Sequence, residues 1–411
     1  MLRLRKQETP TRRRGATIVL TAVSLVTLLI CASLAIDVGY ICALTAEAQN
    51  TSDAGALGGA EMLQRKEFVG IHGRVLELVS TNQKRQGFAA PDDQIIEFGK
   101  WDSKYQKFYP LASDEWEKNA FAVRVRAVRN KAQLFFAAVA GHTSTNVWRE
   151  AIAVGSRPCK GIWGLNGVRV VGDVTTDSFN SDEGPYTADT AGEEGDICSG
   201  RGVAVNGSVE VHGDVMAGYG YPIDINGDPL ITGMTSSTIQ GLSAPAPEFG
   251  DIKTANDNLL MPNTAKGAKV FSAEWDFAVG SNDSLVVPPG NYYLRTMAVH
   301  STATITFTGA TTLYVQGSIA ATGAGLINET GDPSNLKIIS SGTSVSIGGT
   351  FDLFAEVLAP YADVKLSGDG DLYGALIGKT VTMVGNFQVH VDESSDILDL
   401  LGDPPPPFLV K

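Results

Sequence analysis

From Ala16 to Ile36 the chain runs for 21 residues without a charge, one glycine after Arg12-Arg13-Arg14. At about 1.5 Å per helical residue, such a run reaches roughly 30 Å, the depth of a bilayer's hydrocarbon core. The hydroxyls of Thr17, Thr21, Ser24, Thr27 and Ser33 are tolerable there, because each can bond back to a carbonyl one turn earlier. Upstream, Arg3, Arg5, Lys6 and the three arginines outnumber the single acid Glu8, and the first charge downstream is Asp37. The positive-inside rule then predicts a cytoplasmic N-terminus and an exported remainder. Ser33-Leu34-Ala35 could pass for a signal-peptide cleavage site. A cleaved signal, however, has an apolar run of about 7–15 residues, so a retained anchor is favoured.

The 411 residues carry a net charge of −13, and the basic start leaves the exported remainder at about −18. Such a surface repels phosphate, which argues against nucleic acid as a partner. Forty-five glycines against 16 Phe and 5 Trp point to a turn-rich, strand-rich body. Of the four cysteines, Cys31 and Cys42 lie in or beside the span and read as unpaired. Cys159 and Cys198 are exported, where an oxidising compartment permits a disulfide between them. Sequence alone leaves that pairing open.

Beyond Asp37, VGYICALTAEAQNTSDAGALGGAEMLQR continues without proline and rich in alanine. It reads as the same helix extending outward, with small residues that let another helix approach closely. The series R-R-G-A, apolar span, A-I-D-V-G-Y and A-E-A-Q-N-T-S-D-A-G-A-L-G-G-A resembles the N-terminal module of TadE/TadG-like proteins over about residues 12 to 64. Those are membrane-anchored components of the Tad (Flp) pilus-assembly system. Asp37 is expected to be a solvated stop at the outer interface rather than an assembly contact, with Tyr40 as an interfacial aromatic anchor. The resemblance has limits. Processed pilins of this broad group are cut after glycine and carry Glu at the fifth mature position; counted from Gly15, that position is Leu20. The D-x-S-x-S adhesion loop of larger TadG-like proteins is missing from the sequence.

Residues 66–158 read as a small membrane-proximal α+β domain. Phe68, Ile71, Val75, Leu78 and Val79 have helical spacing, and Gly87 and Pro91 end the pattern. Strands are expected around Ile95–Phe98, Lys107–Tyr109, Ala120–Arg129 and Val147–Val154, with a second helix from Lys131 to Ala140 ended by Gly141. Arg124, Arg126 and Arg129 read as a solvated strand face.

From residue 162 to 394, short strands punctuated by Gly-Asp or Gly-Ser recur. Val345, Val364 and Val381 are spaced by 19 and 17 residues, and Ile338, Leu358 and Ile377 form a second series. Repeats of about 20 residues predict stacked coils of a parallel β-helix, with a β-sandwich as the alternative. Residues 219–291 read as long loops plus one coil. The stretch 373–394 resembles β-helical terminal regions of bacterial surface and pilus-tip-like proteins. Pro404 to Pro407 mark residues 395–411 as an extended tail outside the folded body. The whole is a membrane-anchored α+β chain: residues 1–65 hold the basic tail, span and TadE/TadG-like module, and a β-helix follows the small domain.

Catalytic signatures are missing: no G-x-S-x-G, H-E-x-x-H, G-x-G-x-x-G or P-loop, and no metal-type spacing among the five histidines. Asp363, Lys365, Asp369 and Asp371, with Lys379, His390 and Asp392 one coil later, could gather on one face as in polysaccharide-cleaving β-helix enzymes. They read better as polar turns and a solvated end. Two carboxylates, Asp369 and Asp371, fall short of a Ca²⁺ site. Asp182-Glu183 and Glu193-Glu194-Asp196 read as a mobile acidic loop. No catalytic, cofactor or metal residue is assigned. The expectation is a non-enzymatic, single-pass protein of the bacterial inner membrane. It would be a structural or assembly component of a Tad-type pilus or related surface structure, meeting other envelope proteins or a surface ligand such as a polysaccharide. A tethered carbohydrate-active enzyme and an envelope spacer are the alternatives.

Overall fold

The computed structural model describes residues 14–85, 93–240, 244, 246–265, 268–272, 274–322, 325–400 and 405–411. The basic residues before Arg14 lie outside this set. Helix α1, Arg14–Gln64, runs unbroken for 51 residues. It is the one helix among the described residues long and apolar enough to cross a membrane. Thr21, Ser24 and Thr27 donate to the carbonyls four residues back, and Ser33 to Ile30, so each hydroxyl is satisfied within the helix.

The distal half of α1 is core. Helix α2, Ile71–Arg85, folds back on it. Both lie on an antiparallel sheet of β1 (Asp93–Asp102), β2 (Lys107–Pro110), β3 (Ala122–Gln133) and β4 (Ser144–Val154). The sheet runs in the order β2-β1-β3-β4, then the short strand Phe408–Leu409. Period-two alternation decides what each face meets. Val123, Val125, Ala151 and Ala153 pack under Ala56, Ala60, Leu63, Val75 and Val79. Ala122, Ile152 and Val154 turn the other way, into the core shared with the C-terminal body.

Two expectations are corrected here. Lys131–Ala140 is not an α-helix: β3 runs to Gln133, and only Ala137–Ala140 forms a 3₁₀ turn, closed by Gly141 with φ 87°. The C-terminal tail is not left outside the fold either. Phe408 pairs with Val154, and Val410 donates to the carbonyl of Ile152.

The C-terminal body is a parallel β-solenoid with three strand ladders, which excludes the antiparallel sandwich. Asp276–Val279 stacks on Thr296–Val299, Ser284–Val287 on Thr304–Phe307, and Gly290–Leu294 on Thr311–Val315. Inward positions repeat apolar residues from coil to coil: Val279, Val299, Ala321 and Ile347 lie in one register. Ile338 faces Val357 and Leu358 faces Ile339, one residue off the series read from spacing. Residues 219–291 are more regular than expected: Ile223–Gly227 stacks on Val203–Gly207, and Thr235–Ile239 on Val215–Gly218.

Coil order in space does not follow the chain. The first coil, Val168–Phe179, pairs over its whole length with the last, from Val381 to Asp392. Coils from 276 onward therefore stack up to 392, and coils from 161 to 239 continue the same stack. Residues 240–275 connect one end to the other. Within that connection Asn258 imitates a strand on the edge of Gly290–Leu294: its side chain accepts from the Tyr293 amide (2.9 Å) and donates to the Tyr293 carbonyl (2.7 Å). With Met261, Val270 and Phe271 buried beside it, that end of the stack is covered.

Candidate functional site

The polar residues singled out in the solenoid separate into unlike surroundings. Asp363 and Lys379 form a loose exposed pair at 3.8 Å, with the Thr380 hydroxyl on Asp363. Lys365 and Asp369 are exposed on the same strand. Asp371, on that strand too, is half-buried: it accepts weakly from the Tyr373 hydroxyl (3.4 Å), and burial raises its pKa, partly offset by His390.

His390 is buried and its Nδ1 lies 2.5 Å from Asp177 Oδ1, while the Tyr186 hydroxyl donates to Asp177 Oδ2 at 2.8 Å. Tyr186 and Tyr373 pack beside the imidazole with ring centroids at 3.8 and 4.6 Å and lie 5.5 Å from each other, and Phe354 stacks on Tyr373 at 4.1 Å. Burial and the Asp177 carboxylate push the Tyr186 phenol far up; Tyr373 goes to about 12, chiefly by burial and then by Asp371. A carboxylate-held imidazole packed against two phenols acts as a clamp that ties loop 180–195 to the solenoid. Asp392 does the same, accepting from the amides and hydroxyls of Ser181 and Ser394. The loop read as mobile is therefore fastened: Asp182 and Glu183 are exposed, but Glu194 pairs with Lys66 at 2.6 Å and Asp196 is buried.

Asp196 accepts from the amides of Lys160 (3.0 Å) and Asp214 (2.7 Å), and Asp214 in turn from the amide of Met234 (2.6 Å). Each carboxylate caps the next coil. Burial, which these amide bonds only partly oppose, raises both pKa values, and for Asp196 the neighbouring Asp214 adds to the rise. Arg157 lies 3.8 Å from Asp214, donates to the Glu117 carbonyl and covers Phe68, joining solenoid to sheet. Cys159 and Cys198 form a disulfide beside this column. The close group of metal-type donors found among the described residues, Cys159, Asp196 and Cys198, has both sulfurs in that bond. Sequence reasoning missed Asp177, Tyr186 and the Asp196–Asp214 column. The signal for the column was the repeated Gly-Asp at 195–196 and 213–214.

The TadE/TadG-like motif occupies α1, and the structure shows what its small and polar residues touch. A Cβ on Gly55 would meet Val79 at 2.5 Å, and one on Gly59 would meet Val123 at 3.0 Å. The small residues thus admit α2 and β3 of the same chain. Ser52, fully buried, accepts from the Ala127 amide and donates to the Arg149 carbonyl. Arg124 and Arg126 are not a free solvated face: they pair with Glu97 and Glu150.

Asp37 is the sharpest departure from expectation. It is 2% exposed and accepts the amides of Phe135, Phe136 and Ala137 at 2.8, 3.0 and 2.6 Å. Three amides replace the water that a solvated carboxylate would need. Tyr40 packs edge-on against Phe135 at 5.3 Å. Asp37 therefore fastens the β3–β4 loop to the helix where the apolar run ends.

Together these define a membrane-anchored α+β chain whose long helix is built into a small sheet domain that shares its other face with a parallel β-solenoid. Residues 15–62 match the model of the Flp pilus-assembly TadE/G-like family. Residues 271–396 match a domain of unknown function, DUF7305. Among curated proteins none matches. Among solved structures, the competence-associated pilin ComZ of Thermus thermophilus aligns at 11% identity over 88% of this chain and 97% of its own, with a TM-score of 0.22. A score that low carries no argument.

Proposed function

We propose that the chain is a single-pass protein of the bacterial inner membrane, N-terminus in the cytoplasm, that serves as a structural or assembly component of a Tad (Flp)-type pilus or related surface structure. The carrying observation is the TadE/G-like match at residues 15–62, which falls on one helix that leaves the apolar span and becomes core of the exported body. On this reading residues 66–158 seat the anchor, and the solenoid is the surface that meets envelope partners or a surface ligand such as a polysaccharide. On this reading the protein works by contact, not turnover, in keeping with a sequence that carries an anchor and repeats but none of the catalytic motifs sought. Deleting the gene should abolish surface fibres and attachment, and full-length protein should restore them. Unchanged fibres and attachment would overturn the assembly role. External protease should degrade residues beyond Asp37 in spheroplasts; protection would overturn the orientation.

A further inference from the structure

The loop that Asp37 holds presents Phe135 and Phe136 to the outside, 60% and 44% exposed. On α1 beside it, Leu34, Ile36 and Val38 are 58%, 54% and 50% exposed. The apolar surface of the span therefore continues sideways onto this loop. The loop's backbone is also prepared for a place with little water. Its amides at 135–137 go to Asp37, Leu134 donates to the Thr143 carbonyl, and Gly141 and His142 donate within the 3₁₀ turn. A backbone with these donors already paired can enter the edge of a bilayer, where unpaired amides are costly. Lys131 and His142, exposed at the two ends of the loop, suit a headgroup layer.

We propose that residues 134–141 are a second membrane contact, inserting Phe135 and Phe136 at the boundary between lipid headgroups and acyl chains, with Asp37 as the residue that positions them. The occupant of this apolar face is the outer leaflet next to the span. Two attachment points, helix and loop, fix how the solenoid is held above the membrane, which one helix alone leaves free to rotate. The inference rests on the anchor and is independent of the pilus role.

The test uses the full chain in lipid nanodiscs, with Cys31→Ser and Cys42→Ser so that a nitroxide can be placed at Ala138→Cys. Ile30→Cys and Tyr105→Cys serve as span and solvent controls. The label at 138 should collide more with oxygen than with a water-soluble nickel complex, as at 30 and unlike 105. Phe135→Ser with Phe136→Ser, and separately Asp37→Asn, should remove that preference at 138 while leaving it at 30. A label at 138 as open to nickel as the one at 105 overturns the proposal. So does one shielded from both reagents, the mark of a protein neighbour. Loss of the oxygen preference at 30 overturns the anchor itself.

Discussion

Gly385 sits directly against Gly172, so close that a Cβ on Gly172 would come within 2.1 Å of the Gly385 carbonyl oxygen. The contact belongs to a column, Gly349, Gly368, Gly385, Gly172, Gly207 and Gly227, in which each residue has φ between 106° and 137° and each after Gly349 would set a Cβ against the preceding member's carbonyl oxygen. The column passes from Gly385 in the last coil to Gly172 in the first without interruption.

Alanine at Gly172 or Gly385 is therefore expected to destabilise strongly. The left-handed conformation alone costs an alanine about 1–2 kcal/mol, and the carbonyl contact adds to it. Gly73→Ala, in α2 with nothing within 4 Å, should instead stabilise by roughly 0.5–1 kcal/mol. Thermal unfolding of the three variants measures this. Equal melting temperatures for Gly385→Ala and wild type would remove the column as a structural requirement.

How much of this was legible in the sequence follows from what each signal encodes. The span is a run, and the coils are a period; both survive in a single sequence. Coil order does not, because a 20-residue period says that strands stack and not which coil is next to which. Val168 and Val381 look like members of the same series whether they are neighbours or far apart. The misread helix at 131–140 has a similar cause. Leu134, Phe135 and Val139 have helical spacing, but two exposed phenylalanines on a loop imitate a buried face. Asp37 was legible as the end of the span, while the three amides it accepts come from residues nearly a hundred positions away.

The Cys159–Cys198 disulfide closes a loop with a sequence separation of 39. By chain entropy, a ring of that size stabilises by at most about 4 kcal/mol. Cys159→Ser with Cys198→Ser should lower the unfolding free energy toward that figure, with the loss concentrated in the coils from 161 to 239. Amide exchange should show Ile197 and Val215 losing protection before Leu313 does. Uniform loss across all coils would mean that the bridge does not act locally.

Asp196 sets a pH dependence of its own. Its folded pKa is raised well above the usual carboxylate value by burial, so the folded state holds a proton that the unfolded chain releases. That contribution is fully present below the unfolded pKa and is lost as pH rises toward the folded pKa. Wild type should lose stability on that account as pH climbs out of the ordinary carboxylate range. Asp196→Asn, less stable overall because one of the two amides loses its acceptor, should show a flatter profile. Chemical denaturation across the acid range decides it, and parallel profiles would sink the assignment.

Glu150 has the opposite sign and depends on the last residue of the sequence. Burial works against its ionisation, but hydrogen bonds from Lys411 (2.9 Å) and Arg126 (2.5 Å) outweigh it and lower the pKa. Its stabilisation is present above the unfolded pKa and disappears as pH falls through the folded one. Removing residues 405–411 takes away the Lys411 ammonium and the strand Phe408–Leu409, which shields the edge of β4. Ile152, whose amide donates to the Lys411 carbonyl, should then exchange its proton faster. With net contributions of about 1 kcal/mol per lost hydrogen bond, the shortened chain should be a few kcal/mol less stable at neutral pH. The gap should narrow in acid, once Glu150 is protonated in both proteins. A gap that stays constant with pH would show that the strand pairing matters and the Lys411–Glu150 pair does not.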